Sequence, residues 1–475
     1  MREKAEYRGG FAVTIVLVLA MWVSGCAVKK PPTTTENIKN SLPPTTRIPD
    51  QWTSTGTNPA PVPADWLKTF DDPQMEAIVR EALQNNLYLQ AAATRIDVAA
   101  STVTQVRSQM LPVIAATGSA TYLGRYDEKT PTGQNKGRYN ASSILGGVSW
   151  EVDLWARIRS QVAAARQAQM ATEADYASAQ QSLAAATAKT WYTAVYTRML
   201  KSFAEQNLQL KQQSLDLTKA KFAIGEAQEQ QVAIASADVA TAQSQLTQIS
   251  NAYEQVVRAL EVLLGRYPSA ELQTAASMVP CPPAVPAGLP AQLLERRPDV
   301  LAAEHNFDAA FHMVQSAQAA RLPSITLTSG MGYLTNEVYQ KLRLRPWVWT
   351  ASANMTAPLY TGGFLKAQVK IANDNQKAAL YLYGQTALQA LAEVEVTLTN
   401  ERSLRQQQQD YDAVLKNISR ALELERTKYE VGQVDLGPVL SLQGAELGAR
   451  MATAEVQYEL LANRIDIHLA LGGGF

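Results

Sequence analysis

The chain has 475 residues, 46% hydrophobic and 18% charged, and its 43 basic and 43 acidic side chains leave zero formal net charge. This length is ample for a large core, and the balanced charge gives no sign of the basic surfaces that bind nucleic acid. We therefore predict no nucleic-acid partner.

The N-terminus has the layout of a secretory signal. Basic side chains within the first eight residues precede a mostly apolar run, Phe11–Trp22. This run is shorter than the roughly 20 residues that a membrane-spanning helix needs. We predict a signal peptide over residues 1–25.

A cysteine stands where cleavage of that signal is expected. Residues 23–26, Val-Ser-Gly-Cys, resemble a bacterial lipobox, whose cysteine takes a diacylglycerol. An ordinary signal peptide with an incidental cysteine is the alternative, but the position of Cys26 favours lipidation. The resemblance to lipoproteins also implies sorting to the outer membrane, because Ala27 is not the aspartate that retains lipoproteins at the inner membrane. With Cys26 acylated, Cys281 has no partner, and no disulfide is predicted.

Residues 26–64 are predicted to form a lipidated tether. The stretch Lys29–Pro63 is rich in Pro, Thr and Asn, a composition that favours an extended segment without a packed core.

The rest of the chain consists of two similar sequence repeats. Asn85–Pro112 aligns without a gap with Arg296–Pro323, and Lys221–Glu226 aligns with Lys428–Gln433. Each copy predicts a helix, two short strands and two longer helices, so the pattern indicates a tandem duplication. The predicted repeats cover residues 65–275 and 291–475, joined by a Pro-rich connector at 276–290.

Two uninterrupted helices are predicted in the first repeat. Ala156–Ile224 contains no Gly or Pro and would be on the order of 100 Å long, and Glu226–Leu264 follows after a single glycine. In the second helix, apolar residues occupy every position of a heptad seam. These positions are Val232, Ala235, Val239, Ala242, Leu246, Ile249, Tyr253, Val256, Leu260 and Leu263.

The end of the first long helix carries two apolar stripes. They are displaced by about 200° around the helix, so each helix needs neighbours on two flanks. Such helices build a wall, which must close on itself or leave apolar edges in water. The stripes consist of Leu208, Leu215 and Phe222, and of Leu210, Leu217 and Ile224.

Alternating apolar and polar residues predict four strands per chain. Strands of about 10 residues with aromatic ends suit an outer-membrane barrel, although alternation alone also fits a half-buried soluble sheet. Four strands cannot close a barrel, whereas three copies give twelve and leave room for water. The candidate membrane-interface aromatics are Trp150, Trp155, Trp347, Trp349 and Tyr360.

The lipobox, the duplicated plan and the segment Arg296-Arg297-Pro298-Asp299 together resemble the TolC/NodT family of outer-membrane efflux channels over roughly Asp65–Gly474. The resemblance implies a mainly α fold: long coiled-coil helices form an α-barrel tunnel, and four strands per chain join a trimeric 12-stranded outer-membrane β-barrel. It implies the exit duct of a tripartite pump, with a periplasmic adaptor, an inner-membrane transporter and outer-membrane lipid as partners. A structural alternative remains for Arg296–Asp299, because Pro298 and Asp299 suit the first turn of any helix.

Catalysis is not expected, because none of the three histidines has the sequence context of a nucleophile elbow, zinc motif or P-loop. His305 and His312, seven apart on a predicted helix near Glu304 and Asp308, leave a metal site open as a minor alternative. We predict no cofactor and no metal, and passive conduction driven by the partners.

The family likeness places the periplasmic mouth at the two helical-hairpin tips, where Gly225, Glu226, Gly432 and Gln433 are candidates for adaptor docking. The family's closing rings fall near Gly437 and Ser441, which are neither bulky and apolar nor acidic. Asp435 and Glu446 are therefore further gate candidates. Pro438 could shift the helix start, or Gly437-Pro438 could simply end and restart a helix.

Small-molecule efflux is favoured, because the lipobox and the Arg-Arg-Pro-Asp segment resemble the drug-efflux branch. Type I protein secretion and a periplasmic coiled-coil scaffold without a pore are the alternatives.

The heptad seam weakens in the second repeat, where Glu446, Thr453 and Asn463 replace apolar residues. We therefore expect the hairpin Leu415–Leu471 to move on opening.

Overall fold

The computed structural model describes residues 28–54, 65–124, 138–286, 288, 290–336 and 347–474. The predicted signal peptide, Cys26 and Ala27 lie outside these residues. No helix in the described ranges combines the length and apolar character of a membrane span.

The same order of elements occurs twice. A helix α1 (Thr34–Ser41) and a short 3-10 helix (Trp66–Phe70) come first. The first set comprises α2 (Pro73–Asn85), α3 (Leu87–Ser108), β1 (Val113–Gly124), β2 (Arg138–Val152), α4 (Arg157–Ala223) and α5 (Glu229–Leu263). The second comprises α6 (Pro290–Leu294), α7 (Pro298–Ala319), β3 (Ser324–Asn336), β4 (Trp347–Thr356), α8 (Phe364–Glu430) and α9 (Leu436–Ala470).

A glycine follows each of the two longest helices, α4 and α8, at equivalent positions of the two repeats. Gly225 and Gly432 have φ of 80° and 73°, where L-residues with a side chain are strained. The N–H groups of Gly225 and Glu226 donate to Phe222 O and Lys221 O at 3.0 and 2.9 Å. Equivalent bonds follow Gly432, so both hairpin turns satisfy the last helix carbonyls in the same way.

The four strands form one antiparallel sheet in the order β1-β2-β3-β4. Residues directly opposite each other share a face, so the registers assign every side chain to one of two faces. One face is apolar and exposed. It carries Ile114, Tyr122, Ile144, Val148, Trp150, Leu327, Met331, Tyr333, Trp347, Trp349 and Met355.

The other face of the sheet is polar. Ser119 and Ser143 hydroxyls lie 2.8 Å apart, and Thr328 and Ser352 hydroxyls lie 2.6 Å apart. The alternation predicted for the later strands is therefore confirmed. In β1 it is blurred, because Val113 and Ala115 share the polar face with Ser119.

The chain divides into two compact units that do not follow the two sequence repeats. The sheet unit contains the described residues within Met1–Leu42, Arg95–Glu173 and Ala302–Gly384, and the helical unit contains those within Pro43–Thr94, Ala174–Leu301 and Gln385–Phe475. The repeat boundaries stay predictions. The core of the helical unit contains fully buried aromatic and aliphatic side chains, among them Phe70, Met75, Trp191, Tyr192, Leu260, Leu461 and Ile465.

The predicted heptad seam of α5 is confirmed. All ten seam residues are buried or half-buried, whereas most residues between them are exposed. The two stripes at the end of α4 are both partly covered within one chain. Leu215 is buried and Leu208, Leu210 and Leu217 are half-buried, whereas Phe222 and Ile224 next to the turn are 47% and 71% exposed.

Part of residues 28–54 is helical and contacts the rest of the chain, which differs from a fully extended segment; the bounds of the tether stay a prediction. In the sheet unit, a capping box of Thr33 and Glu36 starts α1, and Thr34 Oγ1 donates to Glu304 at 2.6 Å. In the helical unit, Glu395 accepts from Thr53 N at 2.8 Å and Ser54 N at 3.0 Å. The helix was not predicted, because the proline and threonine content of this segment favours an extended conformation.

Candidate functional site

The candidate docking residues occupy the two hairpin turns of the helical unit. Gly225, Glu226, Gly432 and Gln433 are all exposed. A Cβ atom added at either glycine would meet nothing within 4 Å, so only backbone conformation requires glycine there. The tips are therefore open surfaces on the described chain.

The helices that follow the tips begin differently. At the start of α5, the N–H of Gln228 donates to Gln231 Oε1 at 2.9 Å. Asp435 is the N-cap of α9, but its side chain makes no capping hydrogen bond. The Asp435 carboxylate is instead available to a neighbouring element.

That element is α4 of the first hairpin. Lys221 Nζ lies 2.9 Å from Asp435 Oδ2 and joins the two tips, and Asp435 is 74% exposed. The hydrogen bond and charge of Asp435 raise the pKa of Lys221. Asp435, which sequence reasoning selected as a constricting charge, is thus held in an ion pair between the hairpins.

The other gate candidates lie along α9. Gly437 and Ser441 are one turn apart at the start of the helix, and Ser441 is exposed. Pro438 lies in the first turn, where its missing N–H leaves no hydrogen bond unmade. The structure thus favours the plain helix start over a shift of register caused by Pro438.

Two of the three polar residues that replace apolar heptad residues in α9 form hydrogen bonds to α8. Glu446 accepts from Ser419 Oγ at 3.0 Å and from Arg450 at 2.9 Å. Buried Asn463 donates to Thr397 O at 3.0 Å. The Thr453 hydroxyl is buried and has no hydrogen-bond partner. The seam of the second hairpin is thus partly held by hydrogen bonds and contains one unsatisfied hydroxyl, as the weakened heptad indicates.

Arg297 of the Arg-Arg-Pro-Asp segment is a packing residue. It is 7% exposed, donates to Ala470 O at 3.1 Å, and pairs with Asp299 at 2.6 Å and Glu393 at 2.8 Å. The arginine thereby ties the start of α7 to the end of α9.

The first repeat makes the same tie with another residue. Asn86, the counterpart of Arg297, donates through Nδ2 to Leu263 O at 3.0 Å. Its Oδ1 accepts from Leu89 N at 3.1 Å and caps α3. Arg297 and Asn86 therefore hold equivalent helix ends together in the two repeats.

The candidate interface aromatics fall in two groups. Trp150, Trp347 and Trp349 lie on the apolar face of the sheet, and Tyr360, in the turn before α8, is 91% exposed. Trp155 instead is half-buried, and its indole N–H donates to Pro323 O at 2.7 Å. Trp155 thus links the end of one strand to the start of another.

His305 and His312 of α7 have different surroundings. His305 Nδ1 is 2.8 Å from Gln167 Oε1, whereas His312 is buried and burial lowers its pKa. Burial, with the charge of Glu304, raises the pKa of Asp308 to about 7. Within the described ranges, no three His, Cys, Asp or Glu side chains group as metal ligands would.

Sequence reasoning missed His468. It is fully buried in the helical unit and stacks on Trp66 with ring centroids 5.6 Å apart. Burial, with the nearby charge of Arg464, lowers its pKa to about 4. The apolar heptad neighbours of this residue were the one signal that could have indicated a neutral core histidine.

The model for the family "Outer membrane efflux protein" matches residues 78–266 and 289–473. The chain is 28% identical over 411 residues to the probable efflux pump outer membrane protein TtgC of Pseudomonas putida, covering 86% of this chain and 85% of the relative. It is 29% identical over 439 residues to the pyoverdine export outer membrane protein OpmQ of Pseudomonas aeruginosa, covering 90% and 91%.

The fold is also that of a solved channel. The crystal structure of the Campylobacter jejuni CmeC outer membrane channel superposes with a TM-score of 0.81 at 22% identity, covering 94% of each chain. The expected family, fold class and outer-membrane location are confirmed. The chain therefore belongs to the outer membrane efflux protein family and is an outer-membrane efflux channel.

Proposed function

We propose that three copies of this chain close a 12-stranded barrel and conduct small molecules passively out of the periplasm. The observation that carries this proposal is the two-faced sheet. Its exposed apolar face suits lipid and its polar face suits a water-filled lumen. Within the described strands, β1 and β4 each pair on one side only, and an edge in hydrocarbon must find a partner.

The helices support the same assembly. Near the hairpin turns, Ile224, Leu424 and Val431 are 71%, 48% and 65% exposed. Covering them with helices of neighbouring copies would remove apolar surface from water at about 25 cal/mol per Å². A closed wall of helices leaves no stripe uncovered.

Small molecules are the favoured cargo. The names of TtgC and OpmQ refer to an efflux pump and to pyoverdine export. Selection and energy would come from an inner-membrane transporter and a periplasmic adaptor, because the sequence carries no nucleotide-binding loop. The adaptor would dock at the open tips around Gly225 and Gly432.

Lipidation of Cys26 would anchor the assembly in the outer membrane. Mass spectrometry of the purified protein tests this directly. An acylated N-terminal cysteine supports the proposal, and an unmodified Cys26 or a mature chain that begins elsewhere contradicts it.

Reconstitution into planar bilayers tests the channel. The folded trimer should give discrete conductance steps, and well-folded trimers without conductance would contradict the proposal. Ala353→Lys, on the apolar face of β4, should impair insertion, because a charge on the lipid-facing side of a barrel costs up to about 2–4 kcal/mol, depending on its depth. The adjacent Asn354→Lys, on the polar face, is the matched control and should insert.

A further inference from the structure

We propose that β4 of one copy pairs antiparallel with β1 of a second copy in one defined register, with Thr356 opposite Thr117. The inference rests on the proposed trimeric channel and adds which residues meet at the contact between copies. Both strands offer the required edges, because β1 pairs only with β2 and β4 only with β3 in the described sheet.

The sequence repeat predicts the registers inside one chain. The alignment that matches Pro112 with Pro323 also matches Val113 with Ser324. Gly225 and Gly432, the matching glycines of the two turns, are separated by the same number of residues as Ser149 and Thr356. Ser149 and Thr356 are therefore counterparts in the two repeats. The structure places Val113 opposite Ser149 and Ser324 opposite Thr356, so the two hairpins have equivalent registers.

One contact within the chain then serves as a template for the contact between chains. The β2·β3 pairing joins the second strand of one repeat to the first strand of the next, with Ser149 opposite Thr328. The pairing of β4 with β1 of a second copy joins the same two strand types. Replacing Ser149 by its counterpart Thr356, and Thr328 by Thr117, gives the proposed register.

This register keeps the apolar face and the polar face of the sheet continuous from one copy to the next. It sets Met355 opposite Gly118 on the apolar face and Asn354 opposite Ser119 on the polar face. A slip of one residue would turn polar side chains of one strand toward the lipid. A slip of two residues would preserve the faces, so only the template distinguishes it from the proposed register.

Disulfide cross-linking of the assembled protein tests the register. The parent is the full-length chain with Cys281→Ser, which removes the thiol of the described residues. Oxidation of Thr117→Cys/Thr356→Cys should give covalent dimers and trimers in denaturing gels. Each single cysteine variant and the parent should stay monomeric under the same conditions.

A matched pair within the chain controls for geometry. Ser149→Cys/Thr328→Cys occupies the equivalent register position in β2·β3 and should form an intrachain disulfide without joining copies. Ser119→Cys/Thr356→Cys and Ala115→Cys/Thr356→Cys report slips of two residues in either direction, and we expect each to cross-link at least fivefold less.

The outcomes separate the inference from the proposed function. Stronger cross-linking of either slipped pair would overturn the register and leave the trimeric channel intact. Cross-linking of the internal pair with none between copies at all three positions would overturn the β4·β1 contact itself. Conductance measured on the reduced variants reports independently whether a channel forms.

Discussion

Lys221 at the end of α4 and Asp435 at the start of α9 form an ion pair of 2.9 Å that links the two hairpin tips. The two residues come from different repeats, and the Asp435 side chain makes no capping bond to its own helix. Because the pair is largely exposed, it is weak enough to be broken by a docking partner.

Asp435→Asn should favour the open mouth. The substitution removes the charge that holds Lys221, and exposed pairs of this kind shift an equilibrium by about two- to fivefold. Single-channel recording should therefore find a higher open fraction in the variant. The reversed pair, Lys221→Asp/Asp435→Lys, should restore the low open fraction.

Lys211 and Asp238 supply the matched control. They form an exposed pair of 3.1 Å, but both belong to the first hairpin. Asp238→Asn should leave the open fraction unchanged. An equal rise in both variants would mean that surface charge, and not the link between hairpins, controls opening.

Locking the two tips together should block export. In Lys221→Cys/Asp435→Cys, a short reducible thiol cross-linker would fix the second hairpin to the first. Efflux of a fluorescent substrate from cells should fall to the level of a strain without the channel and recover after reduction. Unimpaired efflux with complete cross-linking would refute the assignment of the moving hairpin.

Local and periodic features were predictable from the sequence, because they repeat at fixed spacing. The heptads of α5, the alternation of the strands and the turns at Gly225 and Gly432 follow from such patterns. The Lys221–Asp435 pair was not predictable, because it joins polar residues far apart in the chain. Helix α1 was missed, because its capping box lies within a proline-rich segment.

His468 should make stability dependent on pH. Its pKa is about 4 in the folded protein, below the ordinary value of 6.5, because burial disfavours the charged ring. The associated stability is fully present above pH 6.5 and is lost as pH falls toward 4, by about 2 kcal/mol at pH 5. Denaturation followed by tryptophan fluorescence at pH 7.5 and pH 5 should detect this loss.

A variant without the imidazole isolates that effect. His468→Phe keeps a ring against Trp66 and should abolish this part of the pH dependence. His305→Gln, in the sheet unit, is the control and should retain it. A pH dependence that is unaltered in His468→Phe would assign the acid sensitivity to other groups.

Ala156 carries backbone strain that the second repeat avoids. It precedes α4 with φ of 60°, whereas its counterpart before α8 is Gly363 with φ of 87°. A left-handed conformation costs an L-residue roughly 1–2 kcal/mol. Because Ala156 is buried, Ala156→Gly also loses methyl packing, and we expect a net gain of about 0.5–1 kcal/mol in the free energy of unfolding.

The reciprocal change tests the conformational cause alone. A Cβ atom at Gly363 would meet nothing within 4 Å, so Gly363→Ala introduces no clash and alters only the backbone preference. It should lower the free energy of unfolding by about 1 kcal/mol. If Gly363→Ala is neutral while Ala156→Gly destabilises, packing of the Ala156 methyl outweighs the strain, and the two junctions differ in what holds them.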